Sequence, residues 1–269
     1  MVPIISNFQT MHNPNYPDTT SPIVLKVYFD GANQFVFKFK APITSTLQIN
    51  DGDGTLTPVA GNDATTVTHT TSYPTNKTRT FYFYVEGDYE DITLISLFNI
   101  TIVAGSVSRW NEITSLENIQ LQGATGMYGN LEMSFATDNL VYINTTFNKI
   151  TGDISLLQNS SLDCLFNKVP VTGDLSTLQG SLIGLTPNAF IGTLVTFDNI
   201  VNWTIPGTFY AYDNNWTSAM VDNALISFAN GGTTGKTINI AGNNASRTTA
   251  SDAAKATLLA NGNTLTVNE

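Results

Sequence analysis

The 269-residue chain has little cysteine, histidine or charge. A single cysteine, Cys164, excludes an intrachain disulfide framework. It stands among Leu162, Leu165 and Phe166, which reads as a small buried apolar residue rather than a nucleophile. The only histidines are His12 and His69, so no Ser-His-Asp arrangement can be proposed. Eleven Lys and Arg against 21 Asp and Glu leave a net charge of −10 and no basic patch to follow a nucleic-acid backbone. Charged residues make up 12% of the chain, about half the usual share of ~25%. No apolar run approaches the ~20 residues that span a bilayer. Residues 1–22 offer no basic n-region, no apolar h-region and no small-residue cleavage site. The expectation is synthesis in a cytoplasm without export by the usual route.

Asn and Thr take over the polar role, Asn alone being about one residue in nine. A surface of amides and hydroxyls suits neutral partners, sugars among them, better than phosphates. One phrase also occurs twice. Thr151-Gly152-Asp153-Ile154-Ser155-Leu156-Leu157-Gln158 returns as Thr172-Gly173-Asp174-Leu175-Ser176-Thr177-Leu178-Gln179. A repeat in the twenties predicts stacked turns that cannot bury their apolar faces alone. Strand anchors fall near Ile92, Leu116, Leu140, Leu162 and Leu182. Leu140-x-x-Ile143-x-Thr145-x-x-Asn148-x-Ile150 follows a leucine-rich-repeat frame with one polar substitution. Gly129, Gly152, Gly173 and Gly192 each precede a Leu or Ile by two, as a corner with positive φ would select. An Asn at a strand end can bond neighbouring backbone as the chain turns away.

The predicted organisation has three parts. Residues 1–22, rich in Pro, Asn and Thr, form an extended arm. Residues 23–91 hold short alternating strands, such as Gln34 to Lys40, separated by Gly, Asp and Pro turns, and read as a β-sandwich. Residues 92–269 read as a leucine-rich-repeat-like solenoid with a strand–helix–strand C-terminal cap. There Thr217-Ser218 starts a helix with a Met220, Val221, Ala224, Leu225 and Phe228 stripe, stopped by Gly231-Gly232. Ser251 caps a second helix over Asp252 to Ala260, flanked by strands at Thr237–Ile240 and Thr264–Val267. The fold class is mainly β.

Four motifs invite chemistry. Gly231 to Thr237 mimics a phosphate-binding loop, but the spacing is one residue short and the loop follows a helix rather than opening one. Asp51 and Asp53 suggest a calcium ligand pair, yet the further oxygen ligands of a calcium loop are missing, and a structural turn is favoured. Glu86, Asp88, Glu90 and Asp91 could act as paired carboxylates on a glycosidic bond, but acid clusters on loops are usually solvated surface. Trp203, Phe209, Tyr210, Tyr212 and Trp216 crowd one stretch together with Asn214. Two readings stay open for these aromatics. They fill the core where the repeat widens, or Trp203, Tyr210, Tyr212, Asn214 and Trp216 form a surface for a glycan or other partner.

Two segments carry a resemblance. Leu47 to Thr55, Thr68-His69-Thr70 and the strand Tyr82 to Val85 resemble a PKD-type β-sandwich, with Asp51 where that family has Trp and Thr71 where it has Tyr. Val221 to Leu225, Ile240 to Ala245 and Lys255 to Gly262 are similar to the end of leucine-rich-repeat proteins of Bacteroidota and their phages. The resemblance implies a non-enzymatic spike, fibre or vertex component at the virion surface. No catalytic residue, cofactor or metal is implied. Its partners would be other virion proteins through the arm and sandwich, a host-surface glycan or protein, and copies of itself. A bacterial cell-surface adhesin and a glycan-active enzyme are the alternatives.

Overall fold

The computed structural model describes residues 23–29, 34–40, 46–50, 56–60, 67–72, 77–86, 93–97, 102–106, 117–121, 126–131, 142–146, 148–157, 163–178, 188–205 and 207–269. The arm at 1–22, the Asp51 and Asp53 turn, and Asp88, Glu90 and Asp91 lie outside these residues. The described part is mainly β, with two α-helices.

Six strands open the described part: β1 (Ile23–Phe29), β2 (Gln34–Lys40), β3 (Thr46–Asn50), β4 (Leu56–Ala60), β5 (Val67–Ser72) and β6 (Lys77–Glu86). They pair antiparallel, in the orders β1-β6-β3-β4 and β2-β5. From β7 (Leu94–Leu97) and β8 (Ile102–Ser106) the pattern changes. β7 joins β2 on one side and β9 (Asn118–Leu121) on the other; β8 joins β1 and β10 (Met127–Asn130). Both sheets therefore run on without a break in hydrogen bonding through the position where the sequence suggests a domain boundary.

Beyond that point the pairing between strands of successive chain turns is parallel. The longer sheet continues through β11 (Tyr142–Thr146), β13 (Asp163–Asn167), β15 (Asn188–Ile191), β17 (Phe209–Tyr210), β18 (Thr237–Asn239) and β19 (Thr264–Thr266). The pairing register of Leu94 with Asn118, Asn118 with Tyr142 and Tyr142 with Asp163 sets the chain turn at 24, 24 and 21 residues. The opposite face carries β10, β12 (Lys149–Thr151), β14 (Thr172–Asp174) and β16 (Leu194–Thr196). The anchors at Ile92, Leu116 and Leu140 thus stand two residues ahead of their strands. Leu182 precedes β15 by six.

Strand alternation decides what faces inward. Leu121, Thr145, Phe166 and Phe190 occupy one row across four strands, and each is fully buried. Apolar burial along such rows, worth ~2 kcal/mol for a full Phe or Leu, joins Ile119 to Leu258 in one core.

The doubled phrase stacks on itself. Thr172 N–H donates to Gly152 C=O at 2.9 Å, and Asp153 bridges Thr172. Each Asp carboxylate accepts the N–H and hydroxyl of the Ser two residues on: Ser155 at 2.9 and 2.6 Å for Asp153, Ser176 at 2.9 and 2.5 Å for Asp174. Each starts a 3-10 turn that buries Ile154 or Leu175. Gly173, at φ +115°, has no room for a Cβ, which would lie 2.3 Å from Asp153 Oδ1. Leu194 is the exception to the Gly-x-Leu pattern. It is 57% exposed, and Val195 points inward instead.

After β16 helices replace the second sheet. Helix α1 (Ser218–Asn230) begins with Thr217 Oγ1 accepting from Met220 N–H and buries Val221, Ala224, Leu225 and Phe228. The Gly231 to Thr237 loop leaves this helix and enters β18, the reverse of a phosphate cradle. Helix α2 (Asp252–Ala260) follows as expected, but Ser251 does not cap it. Its oxygen accepts no N–H of that helix, and its hydroxyl donates to Asp222 on α1 at 2.6 Å, so the side chain ties the two helices together.

Candidate functional site

The aromatic stretch divides into an interior and a surface. Trp203 and Trp216 are each 2% exposed, and Phe209 is 1% exposed. Trp203 stacks on Phe197 at 5.7 Å, and its ring edge meets Phe209 at 5.4 Å; Phe209 in turn meets Phe228 of α1 at 5.1 Å. The surface reading of Trp203 and Trp216 is thereby corrected. A helix is wider than the strand it replaces, and large rings fill the space that opens between β17 and α1. Trp216 also finishes the second sheet. Its indole N–H donates to Val195 C=O at 2.8 Å, on the last strand of that face.

Asn214 is corrected as well. It is 6% exposed, and its amide is committed to backbone. Oδ1 accepts Thr193 N–H at 2.7 Å and the Thr193 hydroxyl at 3.1 Å; Nδ2 donates to Phe190 C=O at 2.6 Å. One turn later Asn244 repeats the role. Its Oδ1 accepts the N–H groups of Asn214 and Trp216, both at 3.0 Å, and its Nδ2 donates to Ala211 and Ile240 C=O at 2.8 and 2.9 Å. Asn268 then donates to Gly242 and Asn244 C=O. Where the strands end, the backbone lacks ladder partners. A carboxamide supplies donor and acceptor together, which no charged side chain does.

Tyr210 and Tyr212 remain at the surface. Phe209 and Ala211 face the core, so the two tyrosines take the opposite side of the sheet and are half-exposed. Their ring centroids lie 6.3 Å apart at 68°. Of the five residues singled out from the sequence, only these two are left on an accessible face. Asn239, in register with Tyr210, joins them there. Nothing in the sequence distinguished Asn239 from the buried amides, apart from its place between Ile238 and Ile240.

Among the described residues no three His, Cys, Asp or Glu side chains come together to hold a metal. No described helix is long and apolar enough to cross a membrane. The acidic groups that do cluster hold turns in place. Burial opposes ionisation of Asp222, which is 6% exposed, and is the largest single influence on it. The hydroxyls of Ser251 and Thr248, the Thr248 N–H and the nearby Arg247 charge together outweigh burial and keep its pKa below the ordinary value. Asp174 behaves likewise. Burial again acts first, and Ser176, the Asp198 N–H and the Asn199 amide lower its pKa in sum. Comparison with models of protein families, with curated proteins and with solved structures found no match.

The depressed pKa of Asp222 has a testable sign. The unfolded carboxyl takes its proton at about pH 4, above the folded one, so this stabilisation is complete at neutral pH and is lost as pH falls through the folded value. Asp222→Asn is expected to lower the urea midpoint at neutral pH, and the gap to the native chain is expected to narrow as pH falls below the ordinary carboxyl range of about 4. A gap of constant size across that range would contradict the assignment.

Proposed function

We propose that this chain is a non-enzymatic structural protein of a bacteriophage particle, a spike, fibre or vertex component. On this reading a PKD-like β-sandwich and the preceding arm attach it to other virion proteins. A leucine-rich-repeat-like solenoid carries a surface toward the host.

The observation that carries the reading is the unbroken register of the longer sheet. Lys38 pairs with Ser96, Ser96 with Gln120, and the row continues turn by turn to Thr266. Such a stack is stiff along its length and offers one side chain per turn at a fixed spacing, which suits presentation of a surface. The segments that resemble phage repeat proteins supply α1, the Asn244 turn and α2, so the resemblance falls on the elements that complete the stack. The Asn- and Thr-rich composition suits contact with neutral surfaces. Peptide mass spectrometry of purified particles from the encoding genome is the test. The chain is expected among the particle proteins, accessible to antibody on intact particles. Its absence from purified particles would overturn the proposal.

A further inference from the structure

We infer that the outer face of the longer sheet around Tyr210 and Tyr212 binds an uncharged glycan; this rests on the reading of the repeat region as a presenting surface. Two rows of side chains build the face. One carries Leu165, Tyr210, Asn239 and Thr266, its backbone register running unbroken across five strands. The other runs Asn167, Ile191, Tyr212, the last step made by Gly192 N–H donating to Tyr212 C=O at 3.1 Å. Adjacent strands lie ~4.8 Å apart, so the longer row spans about 20 Å, the reach of a short oligosaccharide.

The chemistry of the rows selects the ligand. Neither row carries a carboxylate, an amine or a guanidinium, and Lys168, beside Gly192, stands at the edge of the shorter one, so the rows themselves offer no charge to a phosphate, a nucleic acid or an acidic sugar. Tyr210 and Tyr212 stand with rings steeply inclined. One ring can take the C–H face of a sugar while the other walls its edge. Asn239 accepts Ala241 N–H through Oδ1 at 3.2 Å, while its Nδ2 donates to no other described residue. That donor stands beside Tyr210 and can reach a sugar hydroxyl. The contrast with Asn214 and Asn244 is the telling point. Those amides are buried, with donor and acceptor both engaged within the stack, whereas Asn239 is half-buried and keeps a donor that no described residue uses.

The test uses the full chain on an array of neutral and acidic oligosaccharides, followed by electrophoresis through gels cast with any neutral polysaccharide that scores. The native chain is expected to bind neutral glycans. Tyr210→Ala and Tyr212→Ala are each expected to weaken binding about tenfold or more. Tyr210→Phe keeps the ring and is expected to retain most of the binding, which separates stacking from a folding defect. Leu194→Ala, exposed on the opposite face, is the control and should bind as the native chain does. Silence on all neutral glycans overturns the inference. So does binding confined to acidic glycans, binding unchanged in both alanine variants, or adhesion that depends on a host protein alone. Particle composition is read independently, so failure here leaves the virion assignment to its own test.

Discussion

Replacing Asn244 by alanine is expected to lower the unfolding free energy by about 4 kcal/mol. One carboxamide serves four backbone groups at once: the N–H groups of Asn214 and Trp216, and the carbonyls of Ala211 and Ile240. The residue is 4% exposed, so water does not readily take its place. Each buried group left unpaired costs about 1–3 kcal/mol, less whatever relaxation recovers. The loss also propagates. Asn214, whose N–H is held by Asn244, itself holds Thr193 and Phe190 in the turn before. Urea unfolding followed by tryptophan fluorescence reads the effect, since Trp216 lies at the bond that breaks. Asn243→Ala next door is the comparison. Asn243 is exposed, and its one hydrogen bond, N–H to Asp213 Oδ1, is made by the backbone. It should change stability by no more than about 0.5 kcal/mol. Equal stability of the two variants would remove the amide ladder from the account of this fold.

Gly231→Ala is expected to cost about 3 kcal/mol or more, enough to leave much of the chain insoluble. The backbone at Gly231 has an ordinary φ of −74°, so conformation is not the reason for glycine. Close approach is. A Cβ there would lie 2.2 Å from the Trp203 carbonyl carbon, 2.3 Å from its oxygen and 2.7 Å from Thr204 N. All three are backbone atoms, so no rotamer relieves the clash. The preceding turn would have to move, and with it the Trp203 ring on Phe197. Gly232 is the opposite case. Its φ is +69°, and a methyl group added there would meet nothing within 4 Å. Gly232→Ala loses only the cost of left-handed backbone, about 1 kcal/mol. Thermal unfolding of the two variants separates the causes. If Gly231→Ala costs no more than Gly232→Ala, the tight contact between α1's end and the Trp203 segment is wrong.

Local elements of the C-terminal part were readable because their signals are local. The Thr217 cap, the stripe from Val221 to Phe228 and the glycine stop each depend on residues within one or two helical turns. The chain-turn length was readable for a related reason. Stacked strands must repeat their apolar faces at nearly constant spacing, and Ile92, Leu116 and Leu140 do so. The doubled Thr-Gly-Asp phrase was legible as corner chemistry, and its two copies do stack as corners. Ser251 reads as a cap from its neighbours alone, whereas the group its hydroxyl binds, Asp222, lies 29 residues away on another helix.

The site was less legible. Trp203, Tyr210, Tyr212, Asn214 and Trp216 look alike in sequence, a run of aromatics and amides. Composition and period determined that this chain stacks short β turns, closes with two helices and carries little charge. Those properties follow from propensity, spacing and solvation of single residues. Only the tertiary structure decided which aromatics fill the widened core and which remain outside. That choice depends on strand alternation read against neighbours about 21 to 30 residues away. The same holds for the amides. An asparagine becomes a buried ladder partner or a free donor according to whether the turn before it presents unpaired backbone, and that is a property of the stack.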